Sequence, residues 1–275
     1  MTLRVGWFTT ARGPGSRRMF EHVQRAIASG ELDAEFAFVF CNRERGEAAA
    51  TDTFFDRVEA AGIPLIARSS VAYRRAVDGA RSRSGEPLPG WRVDYDRVVG
   101  EAIAAHPFDL GALAGYMLIV ERELVARHAL LNLHPALPTG PAGVWQDVIR
   151  HLIREGAEES GVMIHLAIPE VDAGPPVAFC RYPLRDAELE ALREALPTPV
   201  ADLDDAAIEG SALFAAIRAR GVEREAPLLA ASLAEFAAGR LRVEGERVLD
   251  AAGAPAAPAD VTSRVEAQLA AAAGA

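Results

Sequence analysis

The chain has 275 residues, half of them apolar and a quarter charged, which is typical of a globular protein with a buried core. Its net charge of −10 argues against nucleic acid or an anionic membrane as the main partner. All 29 basic residues are arginines. The lack of lysine excludes Walker-type nucleotide binding, pyridoxal and Schiff-base chemistry and protein kinase activity, because each depends on a lysine amine.

Cysteine content and hydropathy indicate a cytoplasmic protein. Cys41 and Cys180 are too few for a disulfide framework or a cysteine-based zinc site, and both lie in apolar, strand-like runs. We therefore predict two buried free thiols. The N-terminal residues lack a signal-peptide pattern, and no run of 18 apolar residues occurs, so a soluble protein of the reducing cytoplasm is expected.

The first half of the chain alternates short apolar runs with helical spacing. In chain order the patterns predict a strand at Leu3–Thr9, a helix at Ser16–Ala28, a strand at Glu35–Cys41, a helix at Thr51–Ala61, an apolar run at Pro64–Ala67, an exposed loop at Arg81–Trp91, a helix at Tyr95–Ala105, a strand at Asp109–Ala114, a helix at Glu121–His128 and a strand at Leu130–Leu133. This alternation predicts an α/β fold with a Rossmann-like, mostly parallel sheet and helices on both faces.

The second half adds strands and helices that we expect to pack onto this sheet. The patterns predict a helix at Val144–Arg154, strands at Gly161–Ala167 and Pro176–Pro183, helices at Ala187–Ala195 and Ser211–Ala238, and a hairpin of Leu241–Val243 with Arg247–Leu249. We expect the long helix to break near Gly221. One domain over residues 1–250 is predicted, and the Ala- and Pro-rich tail at 251–275 is expected to be poorly ordered or a loose helix.

A loop with two glycines, Gly13-Pro14-Gly15-Ser16-Arg17, joins the first strand to the first helix. Free backbone N–H groups at a helix N-terminus attract anions, and Arg17 adds positive charge. Ser16 is the predicted N-cap of the helix. The loop therefore suits a phosphate group, but a tight turn that needs glycine for its geometry alone explains it equally well.

Two further segments carry polar side chains at strand ends. Asn132 and His134 are two residues apart, so both side chains face the same side, where an amide and an imidazole suit stabilisation of an oxyanion. His165 ends a later strand, and a nearby carboxylate from Asp172 would raise its pKa and select its tautomer. Each segment alone also fits a purely structural role. A zinc site of His134, His165 and Asp172 is a weaker alternative, because the spacing matches no zinc motif.

Together these segments resemble the folate-dependent formyltransferase family. The resemblance rests on Asn132-Leu133-His134-Pro135 and on His165 followed by Asp172-Ala173-Gly174-Pro175, and it extends over residues 3 to 250. It implies that Asn132, His134 and Asp172 are catalytic and that His165 supports them. It also implies the formyltransferase fold, with a phosphate-binding half at residues 1–110 and a folate-binding and catalytic half at 111–250.

The remaining binding residues also follow from the resemblance. Residues implied to bind the phosphate and the amine substrate are Gly13, Pro14, Gly15, Ser16, Arg17 and Glu225. Residues implied to bind folate lie in Arg92-Val93-Asp94-Tyr95-Asp96-Arg97 and after Leu113-Ala114-Gly115-Tyr116-Met117; they are Arg92, Met117, Leu118, Ile119 and Val120. Arg17 stands where the family has Asn, Leu118 where an Arg is common, and Thr139–Gln146 replaces a His-rich segment. These departures concern substrate identity more than reaction class.

The implied reaction is formyl transfer from 10-formyltetrahydrofolate to a primary amine, with glycinamide ribonucleotide of purine biosynthesis as the leading candidate and no metal required. Alternatives are another phosphorylated or sugar amine, or hydrolysis of formyltetrahydrofolate. A non-catalytic, nucleotide-binding Rossmann-like module also stays open, since the glycine-containing loop alone would permit it. Small-molecule partners are expected, without nucleic acid or membrane, and a homodimer is compatible with the sequence.

Overall fold

The computed structural model describes residues 2–81, 87–197 and 199–273. Its strands are β1 (Leu3–Thr9), β2 (Ala34–Cys41), β3 (Leu65–Ala67), β4 (Leu110–Leu113), β5 (Leu130–His134), β6 (Glu159–Leu166), β7 (Pro176–Pro183), β8 (Leu241–Glu244), β9 (Arg247–Asp250) and β10 (Ala259–Asp260). Its helices are α1 (Pro14–Ala28), α2 (Ala49–Ala60), α3 (Ser70–Ala76), α4 (Trp91–Ile103), α5 (Arg122–Arg127), α6 (Trp145–Arg154), α7 (Ala187–Glu194), α8 (Asp205–Glu209), α9 (Ala212–Ala237) and α10 (Thr262–Ala273), with a 3-10 turn at Val200–Asp202. Among these residues, no helix is both long and apolar enough to cross a membrane.

One eight-stranded sheet runs through the molecule in the order β10-β7-β6-β5-β4-β1-β2-β3. The β5–β6 and β6–β7 pairs are antiparallel, and all other neighbours in this sheet are parallel. Apolar side chains of α1, α2 and α9 pack on one face, and those of α4 and α5 pack on the other. The predicted α/β class with a mostly parallel sheet and helices on both faces is confirmed.

Burial of both faces explains the continuous apolar run of β1. Trp7 packs among the side chains of α1 and α2, whereas Phe8, the next residue, packs with α4 on the opposite face. Both side chains are almost completely buried. A strand covered on both sides has no polar face, so it lacks the alternation of a half-exposed strand. Cys41 and Cys180 are buried free thiols, as predicted.

The carboxyl ends of β1, β4 and β5 meet at one edge of the sheet. There the Thr10 N–H donates to the carbonyl of Gly115 at 3.0 Å, and the Met117 N–H donates to Thr10 Oγ1 at 3.0 Å. These bonds join the loop after β1 to the segment after β4. The crevice that opens beside them is where ligands bind in open α/β sheets.

The predicted break near Gly221 is wrong. Helix α9 is continuous over 26 residues and contains Pro227 in its interior. A Cβ atom at Gly221 would lie 3.2 Å from the hydroxyl of Tyr182 in β7, so glycine allows close packing there rather than ending the helix. Tertiary contacts along α9, which packs against α1, β6 and β7, outweigh the low helix propensity of the two residues.

The C-terminal segment is better ordered than the sequence predicted. Strand β10 pairs with β7, and α10 packs against α9 and β7 with Val265 completely buried. Arg224 of α9 forms an ion pair with Glu266 of α10 at 2.7 Å. A poorly ordered tail is therefore wrong for residues 259–273, where β10 covers what would otherwise be an exposed edge strand. The domain boundary at residue 250 stays a prediction, and residues 274–275 lie outside the described residues.

The region between β3 and α4 also differs from the prediction. The sequence analysis did not predict helix α3. Its N-cap is Ser69, whose hydroxyl accepts a hydrogen bond from the Ala72 N–H at 3.0 Å. Helix α4 begins at Trp91, four residues before the predicted start. Of the predicted loop Arg81–Trp91, residues 82–86 lie outside the described residues.

Candidate active site

Four polar side chains converge where β5 and β6 pair. Asn132 and His134 face one cleft from β5, as strand alternation predicts. Antiparallel pairing places His165 of β6 opposite Asn132, and Asp172 reaches the same point from the loop between β6 and β7. Asn132 Nδ2 lies 3.2 Å from His165 Nε2 and 3.4 Å from Asp172 Oδ1, and His134 Nδ1 lies 3.8 Å from Asp172 Oδ2. The predicted trio therefore meets, with His165 behind it.

The contacts of His165 define its protonation. Its Nδ1 lies 3.2 Å from the carbonyl oxygen of Leu166, which only accepts, so Nδ1 carries the proton and Nε2 accepts from Asn132. Burial lowers the pKa of His165, whereas the Asp172 carboxylate raises it by less. The Asp172 carboxylate raises the pKa of this imidazole, as predicted, but desolvation of the charged ring outweighs that contribution, so the net shift is downward.

His134 is held in one orientation. The ring is 3% exposed, and its Nε2 donates to the carbonyl of Pro141 at 3.0 Å. Nδ1 therefore faces Asp172 and the cleft. A histidine whose second nitrogen is engaged by a backbone carbonyl presents a single atom for proton exchange.

Backbone geometry holds Asp172 over the two rings. Its φ of 56° lies in the left-handed region, which aspartate tolerates better than most residues. Two residues later, a Cβ atom at Gly174 would lie 1.7 Å from the carbonyl oxygen of Leu166, so only glycine fits there. The Leu166 N–H also donates to the carbonyl of Pro175 at 3.0 Å. This hydrogen bond and the close approach of Gly174 keep the Asp172 loop against β6.

A cleft of about 380 Å³ opens in front of the four polar side chains, and mostly apolar residues line it. One wall is the segment Met117–Val120 after β4, and the opposite wall includes Ile168 and Val171. Met117, Ile119 and Val171 are exposed at its mouth. An exposed apolar lining with a few convergent polar groups is typical of a site for a small organic ligand.

Two buried residues of α4 hold the Met117–Val120 wall in place. Arg92 Nη2 donates to the carbonyl of Ile119 at 2.7 Å, and Asp96 Oδ2 accepts from the Glu121 N–H at 2.7 Å. Arg92 and Asp96 also pair with each other at 3.6 Å and are almost completely buried. Burial raises the pKa of Asp96 to about 6. Arg92, predicted to bind folate, does not line the cleft, and it can act there only through Ile119.

Glu225 lines the same cleft from α9 and is 5% exposed. Its Oε1 accepts from Arg218 Nη1 at 2.8 Å, and the Arg218 guanidinium lies over the indole ring of Trp145, 4.9 Å from the ring centroid. Glu225 Oε2 lies 3.9 Å from the position that a Cβ atom on Gly15 would occupy. Glu225 therefore stands between the cleft and the first turn of α1.

The first turn of α1 differs in detail from the prediction. Helix α1 begins at Pro14, and Gly13 is its N-cap, whereas Ser16 lies inside the helix and donates its hydroxyl to the Gly13 carbonyl at 3.0 Å. The prediction of Ser16 as N-cap is wrong. The N–H groups of the first turn have no helical acceptors and can bind an anion. Gly15 borders Glu225, but none of the residues from Gly13 to Arg17 lines the cleft itself.

The zinc alternative gains no support from the geometry. Over the part of the chain that the structure describes, no three His, Cys, Asp or Glu side chains are grouped so that they could hold a metal ion.

Trp145 and Arg218 are site residues that the sequence analysis missed. Arg218 lies seven residues before Glu225 on one helix, which is two turns, so the two side chains share a face. That spacing was available in the sequence. The stacking of Arg218 on Trp145 was not, because it joins α9 to the start of α6.

Comparisons with known proteins identify the family of this chain. A family model described as Formyl transferase matches residues 13–194. Phosphoribosylglycinamide formyltransferase of Bacillus subtilis (strain 168) is 24% identical over 170 residues, which cover 61% of this chain and 74% of that protein.

Solved structures share the fold. A phosphoribosylglycinamide formyltransferase from Coxiella burnetii has a TM-score of 0.64 and 21% identity, covering 94% of this chain and 99% of its own. A formyltetrahydrofolate deformylase from Pseudomonas syringae pv. tomato has a TM-score of 0.60 and 18% identity, covering 91% of this chain and 66% of its own. At these identities the likeness concerns the fold alone, and the fold occurs in a transferase and in a hydrolase.

Proposed function

The chain belongs to the formyl transferase family, and we propose that it transfers the formyl group of 10-formyltetrahydrofolate to glycinamide ribonucleotide, a primary amine of purine biosynthesis. The observation that carries this proposal is the convergence of Asn132, His134 and Asp172 at an apolar cleft. The Asp172 carboxylate lies 3.4 Å from Asn132 Nδ2 and 3.8 Å from His134 Nδ1. A non-catalytic module provides no reason for these three groups to converge.

The chemistry of the three groups suits acyl transfer to an amine. Negative charge develops on the formyl oxygen as the amine attacks, and N–H donors stabilise it. Asn132 supplies amide hydrogens that now point at His165 and Asp172, and His134 supplies Nδ1. Asp172 orients both donors, takes up the proton that the amine loses and passes it to the folate nitrogen, which departs as its bond to the formyl carbon breaks.

10-Formyltetrahydrofolate supplies the formyl carbon, and the protein supplies orientation and exclusion of water. The apolar walls formed by Met117–Val120, Ile168 and Val171 fit a flat ring system of mixed polarity. Backbone N–H and C=O groups of the Met117–Val120 segment provide polar contacts at the ring edge. Arg92 keeps that segment in place through the Ile119 carbonyl.

The acceptor amine is proposed to bind on the opposite side of the catalytic groups. Glu225 borders both the cleft and Gly15, so it can attract the ammonium or hydroxyl groups of the acceptor. The first turn of α1, from Gly13 to Ser16, and the Arg17 guanidinium favour its phosphate. This arrangement favours a phosphorylated amine over a neutral one.

Hydrolysis of formyltetrahydrofolate is the second candidate. The structural likeness to the Pseudomonas deformylase favours it, because the same fold performs hydrolysis there. Asn132, His134 and Asp172 would orient a water molecule as readily as an amine.

A formyl-transfer assay separates these functions. The purified chain is incubated with 10-formyltetrahydrofolate, with or without glycinamide ribonucleotide, and the absorbance of released tetrahydrofolate is followed. We expect release to require the amine and to match the yield of formylated product. Release at the same rate without the amine would instead establish hydrolysis, and no release in either mixture would contradict both functions.

Association and location are proposed from the charge and composition of the chain. A net charge of −10 favours small-molecule partners over nucleic acid or anionic membranes, and we propose a cytoplasmic protein that forms a homodimer. Light scattering on the purified chain tests the homodimer directly, and a monomer mass would overturn it.

A further inference from the structure

Three buried polar atoms adjoin the Met117–Val120 wall and have no hydrogen-bond partner among the described residues. They are Nε of Arg92, Oδ1 of Asp96 and the hydroxyl oxygen of Tyr116. Arg92 Nη2 lies 3.6 Å from Asp96 Oδ1, which is too long for a hydrogen bond. A polar atom that is buried without a partner destabilises the fold, so such atoms normally bind a protein group or an ordered water molecule.

The three atoms belong to side chains that influence one another. The ring of Tyr116 packs edge-on against Phe8, whose side chain lies among those of α4. Burial, Tyr95 and Asp96 raise the pKa of Tyr116 well above its ordinary value, whereas the Arg92 guanidinium lowers it. The Tyr116 hydroxyl therefore lies within electrostatic reach of the Arg92–Asp96 pair.

Each of the three side chains is also connected to the wall in another way. Arg92 donates to the Ile119 carbonyl through Nη2. Asp96 accepts from the Glu121 N–H through Oδ2, just after the wall. Tyr116 directly precedes the wall in the chain. A group that joined the three unpartnered atoms would therefore fix the beginning, the middle and the end of the wall relative to α4.

We infer that one buried water molecule bridges the Tyr116 hydroxyl, Asp96 Oδ1 and Arg92 Nε, and that Tyr116 thereby positions the wall proposed to face folate. Water suits this set because it can accept from the guanidinium N–H, donate to the carboxylate and bond to the hydroxyl. Three partners are the usual number for a buried water molecule. The effect on activity rests on the proposed use of 10-formyltetrahydrofolate. Tyr116 is a positioning residue, because its buried hydroxyl acts through the wall rather than on a ligand.

Steady-state kinetics of Tyr116→Phe, which removes the hydroxyl and keeps the ring, test the effect on the wall. Loss of one hydrogen bond should raise the KM for 10-formyltetrahydrofolate by about 3- to 10-fold and leave kcat nearly unchanged. The matched control is Tyr182→Phe, which removes the hydroxyl of another buried tyrosine, on β7 beside Gly221 of α9. The control should keep its KM. An unchanged KM in Tyr116→Phe, or an equal rise in the control, would overturn the inference.

The pH dependence of stability separates the bridging water from simple packing. The melting temperature of the unaltered chain minus that of Asp96→Asn is followed across pH, and the same difference is measured in a Tyr116→Phe background. Without the hydroxyl, the water stabilises the Asp96 carboxylate less, so the pKa of Asp96 rises above about 6 and the difference falls at a higher pH. Charged and titratable groups that act on Asp96 or on the tyrosines beside it are Cys41, Arg43, Arg92, Tyr95, Tyr116 and Glu121.

A role in packing alone would lower the melting temperature equally at every pH, and an unmoved midpoint would therefore overturn the inference. A high-resolution crystal structure of the unaltered chain should show one water molecule between the three atoms. A direct hydrogen bond from Tyr116 to Asp96, with no water between them, would contradict it. Failure of the proposed function is distinguishable, because neither measurement requires turnover. The water and the shifted pH dependence, without any formyl transfer, would reject the reaction and keep the network.

Discussion

The two sides of the cleft are built in different ways. The wall proposed to face folate, Met117–Val120, is tied by two hydrogen bonds to the buried Arg92 and Asp96. The side proposed to face the amine consists of the first turn of α1 and the α9 surface around Arg218, with partly exposed arginines. Buried, mutually bonded groups tolerate little change, whereas exposed groups can be replaced at small cost. We therefore propose that the first side and the catalytic cluster set the reaction class, and that the second side sets the choice of substrate.

The largest effect is expected from Asp172→Asn, because Asp172 lies between the two sides and contacts both Asn132 and His134. We expect kcat to fall by about 100- to 1,000-fold, the range seen when one group that stabilises the transition state is removed. The fold should persist, since Asp172 is on a loop. Steady-state kinetics with both substrates measure this. The control is Glu170→Gln on the same loop; within the described residues its carboxylate pairs with the exposed Arg122. Near-normal turnover in Asp172→Asn would reject the proposed role.

Arg92→Gln tests the folate side. Loss of the hydrogen bond to the Ile119 carbonyl should loosen the wall and raise the KM for 10-formyltetrahydrofolate by about 10-fold, roughly the value of one hydrogen bond to a charged group. The KM for the amine should be unchanged. Arg97→Gln, on the same helix but at the surface, is the control. Equal changes in both KM values would mean that Arg92 supports the whole cleft rather than one wall.

Arg17→Ala tests the amine side. Because Arg17 is partly exposed and adds one charge beside the first turn of α1, we expect a 3- to 10-fold rise in the KM for the phosphorylated amine, about the size of one partly screened charge interaction. The KM for folate should not change. The effect should also shrink at high salt. A similar rise in the KM values for both substrates would contradict a phosphate site beside Arg17.

The smallest expected effect concerns the pH dependence of stability. Burial raises the pKa of Asp96 to about 6 from its ordinary value of 3.8. Since the folded-state pKa is the higher one, the stability that protonated Asp96 contributes is fully present below about pH 4 and is lost as the pH rises through about 6. Asp96→Asn does not titrate. The melting temperature of the unaltered chain minus that of this variant should therefore fall by a few degrees between about pH 4 and pH 7. A constant difference would show that Asp96 ionises normally.

Much of the site could be predicted because its polar residues stand at the ends of predicted strands, in motifs that resemble those of a known family. Asn132 and His134 share a strand, and alternation alone places them on one side. His165 and Asp172 required the antiparallel pairing of β5 with β6 before they could be placed beside Asn132. The upward effect of Asp172 on the pKa of His165 could be predicted from the neighbouring charge, whereas the larger downward effect of burial could not, because burial is not visible in a sequence.

The corrected elements share one physical cause. Gly221 and Pro227 predict a broken helix locally, yet α9 stays continuous because it packs along α1, β6 and β7. The segment at 259–273 has a composition typical of a disordered tail, yet it folds because β7 offers an unpaired edge. In both cases contacts from distant parts of the chain outweigh local preference.

The residues of the catalytic cluster followed from the resemblance to the formyltransferase family. By itself the sequence determined the α/β class and the position of most helices and strands. These depend on periodicity and side-chain chemistry, which are local properties. Only the tertiary structure decided that Arg92 donates to the Ile119 carbonyl, that His165 Nε2 faces the Asn132 amide, and that Arg218 stacks on Trp145. Each of these depends on burial and on contacts between residues far apart in the chain, which no local pattern encodes.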